Sequence, residues 1–202
     1  MEGNSNRVLN RDRNVVLIAA VSQNGVIGVE GKIPWNLPEY EQRFETLTRG
    51  YPVIRGRVSY ESMLKNKPFQ SLSGRLNLVL SNSTSFRDNG VYVAHSLEDA
   101  LEVFGDRRIL SNESSNNIDF STVFIAGGED VYKAAMPYAT RLEITLVHQA
   151  VLYGKEMRYF PKIDLTQWEK QSRKVGRGYS FVTYERITAP RLLISQPEDL
   201  EN

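Results

Sequence analysis

The chain contains no cysteine. That excludes disulfides and thiolate metal centres. Histidine is scarce, with His95 and His148 far apart in sequence, so no metal site is expected. No apolar run approaches the ~18–20 residues needed to cross a bilayer, and no membrane association is expected. An excess of one charge is also missing: 25 Lys and Arg against 24 Asp and Glu leave +1, unlike the basic balance of a nucleic-acid-coating surface. The opening residues, "MEGNSNRVLNRDRN", lack the apolar heart of a signal peptide. Together these absences suit a cytoplasmic, monomeric globular protein acting on a small molecule.

What is present is one good core's worth of chain. The 202 residues are 41% hydrophobic and 24% charged, ordinary for a globular domain. "NVVLIAAV" (Asn14–Val21) is a continuous β-branched run, the pattern of a strand buried on both faces. A Gly- and Pro-rich loop follows, and Pro38 opens a helix through "PEYEQRFETLTRG", closed by Gly50. Next come a strand "YPVIRG", a helix "RVSYESMLKN", strands "RLNLVLS" and "GVYVAH", and a helix "SLEDALEVFG" with Ser96 as N-cap. "RRILSNESSNNIDFS" reads as a polar surface excursion. "TVFIAGGEDVYKAAMP" is strand, glycine turn, helix. "RLEITLVHQA", "WEKQSRKV" and "YSFVTYERI" are strands, the last two a hairpin. Strand–helix alternation predicts parallel pairing with right-handed crossovers, closed by antiparallel strands. Residues 1–13 read as a flexible tail, 14–187 as one domain and 188–202 as an extension.

Two glycine turns stand out. In "FIAGGEDVY" a buried strand enters Gly127-Gly128 and then a helix, so a ligand can approach the main chain. The freed N–H groups of Glu129, Asp130 and Val131, with the helix dipole, suit a phosphate or pyrophosphate; a plain tight turn explains the glycines equally well. "VIRGRVSYES" repeats the pattern. Arg57 there is unfavourable for a helix N-terminus unless it grips a phosphate. Two anion turns on one parallel sheet suit a dinucleotide across its carboxyl edge, although G-x-G-x-x-G is absent.

At these residues the chain resembles the dihydrofolate reductase family. "LIAAVSQNGVIGVEGKIPWNLP", "PVIRGRVSYES", "LSGRLNLVLS", "VFIAGGEDVY", "LEITLV" and "YSFVTYER" carry the resemblance, from about Val15 to Ile187. It implies an α/β fold with a mixed, mostly parallel eight-stranded sheet flanked by four helices, NADPH as hydride donor and dihydrofolate as acceptor. It implies that Ala20 and Ile27 meet the nicotinamide carboxamide, and that Gly28 and the loop to Ile33 form a flap over it. Gly56, Arg57, Val58 and Ser59 would hold cofactor phosphates, Ser81 and Asn82 would lie near the adenosine ribose, and Gly127, Gly128, Glu129, Asp130, Val131 and Tyr132 would cradle the pyrophosphate. Ile18, Ala19, Phe44, Leu72 and Ala126 would line the pterin and benzoyl slot. Arg75 would pair with the substrate's glutamate carboxylate, Thr145 would hydrogen-bond the catalytic acid, and Trp35 would stack beside an ordered water. Each residue taken singly also has a plain structural reading.

The resemblance fails at one polar position. The family places an Asp or Glu four residues before the phenylalanine of the first helix, where it binds the pterin's amino–amide edge and promotes protonation at N5. Here that position is Tyr40, four before Phe44. Glu41 is six after Trp35, a spacing some members use for the acid, so the two anchors disagree by one residue. Glu39, Glu41 and Glu45 can equally form a solvated face. Arg55 stands where the family has an apolar residue, Glu129 follows Gly-Gly where a small neutral one is usual, and Lys155 replaces a flap aspartate. Three readings stay open: a dihydrofolate reductase using Glu41 or working slowly without a carboxylate, a reductase of another pterin or pyrimidine, and a non-catalytic nucleotide-binding homologue.

Overall fold

The computed structural model describes residues 14–66, 73–103 and 117–188; both tails, Leu72 and most of the polar excursion lie outside these. In chain order the elements are β1 (Asn14–Ser22), β2 (Val26–Gly28), α1 (Pro38–Thr48), β3 (Pro52–Gly56), α2 (Arg57–Asn66), β4 (Leu76–Leu80), β5 (Tyr92–Ala94), α3 (Leu97–Val103), β6 (Thr122–Ile125), α4 (Glu129–Ala135), a 3-10 turn (Met136–Tyr138), β7 (Arg141–Val147), β8 (Arg158–Tyr159), β9 (Trp168–Gly176) and β10 (Tyr179–Arg186). Eight strands form one sheet in the order β5-β4-β3-β6-β1-β7-β10-β9. Pairing is parallel from β5 through β7 and antiparallel at β10 and β9, as the alternation pattern predicts.

The central strand β1 is buried on both faces, which its unbroken apolar run requires. Its side chains alternate. Leu17, Ala19 and Val21 join Ile54, Leu78 and Ile125 under α3 and α4. Val16 and Ile18 join Val53 and Phe124 under Phe44 and Leu47 of α1. The Ser96 hydroxyl accepts from the Asp99 N–H at 2.9 Å, capping α3 as its sequence predicts.

One element escapes the sequence reading. The loop after β1 is not structureless: β2 pairs antiparallel with β8 in a separate two-stranded ribbon, so the described residues hold two strands beyond the expected eight-stranded sheet. These strands have only three and two residues, too short for a period to show. Val29 and Lys32 close the ribbon's tip across Glu30 and Gly31, both at positive φ (50° and 72°), the backbone of a tight primed turn.

A buried charge cluster pins α1 to the sheet. Arg141, Glu143 and Thr145 share one face of β7 by strand alternation. The Glu143 carboxylate, 5% exposed, accepts from Arg43 of α1 at 2.5 Å and from the Thr183 hydroxyl at 3.0 Å, and Arg141 lies 3.1 Å away. Arg43 also stacks on Phe181, 4.5 Å from the ring centre. Deleting one partner of a buried pair strands the other charge. Glu143→Ala is therefore expected to cost about 3 kcal/mol in urea unfolding, with an unchanged denaturant slope.

Candidate active site

The two glycine turns meet because their strands are neighbours. β3 and β6 run parallel side by side, and the Gly56 N–H donates to the Gly127 carbonyl at 2.7 Å. The Gly127–Gly128 peptide bond is cis. Gly127 has φ +97°, and a Cβ on it would sit 3.1 Å from the Tyr132 ring, so only glycine fits. A Cβ on Gly56 would meet Val131 Cγ2 at 3.1 Å, whereas one on Gly128 would meet nothing within 4 Å. The main chain at Gly128 is thus open to close approach beside the first turn of α4. Tyr132 closes the floor, its hydroxyl donating to the Ile18 carbonyl at 2.7 Å, and burial raises its pKa well above that of a free phenol.

Charges around these turns are already engaged. Arg57 pairs with Glu61 one helical turn on, at 2.9 Å, which removes the need for a phosphate to explain it. Glu129 holds Lys133 at 2.6 Å and accepts from the Tyr159 N–H of β8 at 3.1 Å. The Lys133 hydrogen bond chiefly keeps its carboxyl below the ordinary value. Glu129 therefore ties the β2–β8 ribbon to α4. The ribbon's tip is tied to α2 as well, since the Ser62 hydroxyl donates to the Gly31 carbonyl.

The α1 side of the sheet is where the resemblance puts the pterin slot. Phe44 is half-buried there and packs on Val16, Ile18, Val53 and Phe124, with Ala126 beside them. Arg75 is fixed at one end: its Nε donates to the Thr48 hydroxyl at 2.7 Å, and Nη2 donates to the Glu45 carbonyl at 3.2 Å. Its guanidinium lies 5.7 Å from the Phe44 ring centre. Arg55 lies 5.6 Å from the same ring centre, with Met63 of α2 against it. Burial lowers the Arg55 pKa to about 10, so it is charged near neutral pH. Thr145 is buried and sits opposite Ala20 in register.

A family model described as dihydrofolate reductase matches residues 14–186. The chain belongs to the dihydrofolate reductase family. It is 40% identical over 178 residues to a dihydrofolate reductase of Mycobacterium tuberculosis, covering 85% of this chain and 98% of the relative. A dihydrofolate reductase of Neisseria meningitidis is 36% identical with the same coverage. The structure is similar to that of an Enterococcus faecalis dihydrofolate reductase complexed with NADP(H) and RAB-propyl. That likeness has a TM-score of 0.69 and 28% identity, and it covers 87% of this chain and 97% of the other.

Within this dihydrofolate reductase frame, the structure brings most of the expected residues together. Ile18, Phe44 and Ala126 pack together, Gly127 follows β6, and Tyr132 reaches the Ile18 carbonyl, whereas Ala19, expected in the same slot, lies on the other face of β1 under α3 and α4. Ile27 packs against the core. Gly28 ends β2, where a Cβ would lie 3.4 Å from the Lys32 carbonyl. The half-buried Trp35 keeps its indole N–H buried with no acceptor among the described residues. Val58 is 66% exposed and Ser59 half-buried. Ser81 is buried, and its hydroxyl accepts from the Ser83 N–H at 3.2 Å, while Asn82 is exposed. Leu72 lies outside the described residues.

Tyr40 lies in the first turn of α1, beside Phe44. α1 starts regularly at Pro38, with the Tyr40 N–H donating to the Leu37 carbonyl at 3.0 Å and no late start. The Tyr40 ring stacks 6.3 Å from Phe44. Burial pushes the phenol up to about 12, with the Arg55 guanidinium pulling the other way. Glu41 is half-buried and turned about 100° from Tyr40 around the helix. Glu39 and Glu45 are exposed, and Glu45 pairs with Arg49. The inward reach of Arg55 and the burial of Glu143 are what sequence reasoning missed. Strand alternation held the signal for both, because Arg55 shares a face with Val53 and Glu143 shares one with Thr145.

Proposed function

We propose that this chain reduces dihydrofolate with NADPH, slowly, because Tyr40 takes the position of the family's carboxylate. The observation that carries the reading is the meeting of two glycine turns beside a slot with Arg75 fixed at its mouth. The glycine cradle at Gly56, Gly127 and Gly128 and the unpartnered Trp35 donor fit a nicotinamide dinucleotide. When bound, NADPH supplies the hydride for C6 of the pterin. Gly128 and the first turn of α4 hold the pyrophosphate, and the β2–β8 ribbon covers the nicotinamide. Phe44, Ile18 and Ala126 grip the flat ring, and Arg75 takes the substrate's carboxylate bidentately. Tyr40 stays neutral near pH 7, so the proton for N5 comes from water rather than from a protein acid.

The test is dihydrofolate-dependent loss of NADPH absorbance, with cofactor binding read separately by fluorescence. Slow turnover is expected, and Glu41→Gln should leave kcat within about twofold, since a group off the reacting face supplies none of the 10²–10⁴-fold of general acid catalysis. A collapse of activity in Glu41→Gln would assign the acid to Glu41 instead. NADPH binding without turnover would favour the second reading, a reductase of another heterocycle, which Arg55 specifically supports.

A further inference from the structure

Arg55 is 6% exposed. Its hydrogen-bond contact among the described residues is the thioether of Met63, and its Nε–H has no acceptor. No carboxylate among the described residues pairs with it. A buried, charged guanidinium without a counter-ion is costly, and such groups are normally paired. Around it stand the Phe44 ring, the Tyr40, Tyr132 and Tyr60 phenols and Arg75. The missing partner is therefore to be sought in whatever enters the slot.

We propose that Arg55 and Tyr40 make the inner end of this slot a reader of acceptor-rich edges: it takes a flat heterocycle presenting a dioxo (imide) edge in place of an amino–amide edge. A carboxylate only accepts hydrogen bonds and selects donors; a guanidinium only donates and selects carbonyl or anionic oxygens. Tyr40 can accept the ring N–H that lies between the two carbonyls, or donate once that N–H has ionised. An amino group pushed against Arg55 sets donor against donor, which specificity exploits as repulsion. Arg75 lies 5.7 Å from the same Phe44 ring centre, against 5.6 Å for Arg55, so a second guanidinium adds to the donor character of this region. The inference rests on the second reading above, a reductase of another heterocycle, and names the ring edge that such a heterocycle would present.

Ligand binding to the full chain tests it by calorimetry, with a dioxopteridine and its diamino isostere as probes, each with and without NADPH. The dioxo ring should bind at least about tenfold tighter than the diamino ring, the worth of one charge-assisted hydrogen bond. Arg55→Met should erase that ratio, and Tyr40→Asp/Arg55→Met should reverse it. A wild type that prefers the diamino ring, or binds no dioxo ring, overturns the proposal. So does an unchanged ratio in Arg55→Met. The wild-type ratio needs no variant to fold. NADPH affinity, read in the same titrations, reports on the reductase reading independently, because the ring preference is measured without cofactor as well.

Discussion

The Tyr40→Asp/Arg55→Met double variant is expected to raise kcat/KM for dihydrofolate at least about a hundredfold over the wild type, the lower end of what a positioned acid supplies. Position 40 already faces the slot, stacked 6.3 Å from Phe44. An aspartate there can pair bidentately with an amino–amide edge, which a phenol cannot. Tyr40→Asp alone should gain much less. Its carboxylate would lie in the field of Arg55, which lowers a neighbouring acid's pKa and occupies its acceptor atoms. Both effects oppose delivery of a proton to N5. Arg55→Met alone removes the competitor without adding the acid and should leave turnover slow, so the two changes are expected to be strongly non-additive. The pH profile separates this from a generic improvement. With its pKa pushed up to about 12, Tyr40 contributes no ionisation near neutral pH. The double variant should acquire a new limb in kcat that falls as pH rises through the aspartate's pKa. Steady-state rates across pH check both claims, and a double variant that binds NADPH yet is no faster than wild type would sink the slow-for-want-of-acid reading.

The sequence shows the frame more clearly than the slot because frame and slot are written in different signals. β1 announces itself through an unbroken apolar run, and the two turns through glycines. Gly127 in particular is demanded by a φ of +97° and the Tyr132 ring 3.1 Å from any Cβ. Such constraints are local, so they survive in one dimension. The β2–β8 ribbon does not: strands of three and two residues carry no period, and their pairing is fixed by the distant chain that returns past Gly25 to Phe160. The Arg43–Glu143 pair joins residues 100 positions apart, invisible until α1 lies on β7. Position 40 is a middle case. The phenylalanine spacing points to Tyr40, whose ring lies 6.3 Å from that of Phe44. The tryptophan spacing favours Glu41 and would need a late start that the helix does not have. Arg55 shows in sequence only as a misplaced polar residue. Strand alternation gives its face, but its lack of a counter-charge is a property of the packed molecule.

Arg55→Met is also expected to stabilise the protein, although it removes the most buried guanidinium of the slot. Burial lowers this group's pKa from 12.5 to about 10. The folded state therefore holds the proton less tightly than the unfolded chain. The sign follows: the penalty is full at every pH below about 10 and is relieved only as pH rises toward the unfolded value. At neutral pH the variant escapes it entirely. Opposing this, stacking over Phe44 is worth about 1 kcal/mol, and methionine recovers part of that as apolar contact with Met63 and Phe44. The balance favours the variant by about 1–3 kcal/mol, in line with other exchanges of buried charge for apolar side chains. For a chain of this size that is a rise in melting temperature of about 3–10 °C. The gap should be constant between roughly pH 6 and 8, because Arg55 does not titrate there. An acceptor-edged ligand should stabilise the wild type but not the variant, since binding to the folded state alone raises its stability. A variant that melts lower than wild type, with its circular dichroism intact, would mean that the guanidinium is satisfied within the protein and is not held in reserve for a ligand.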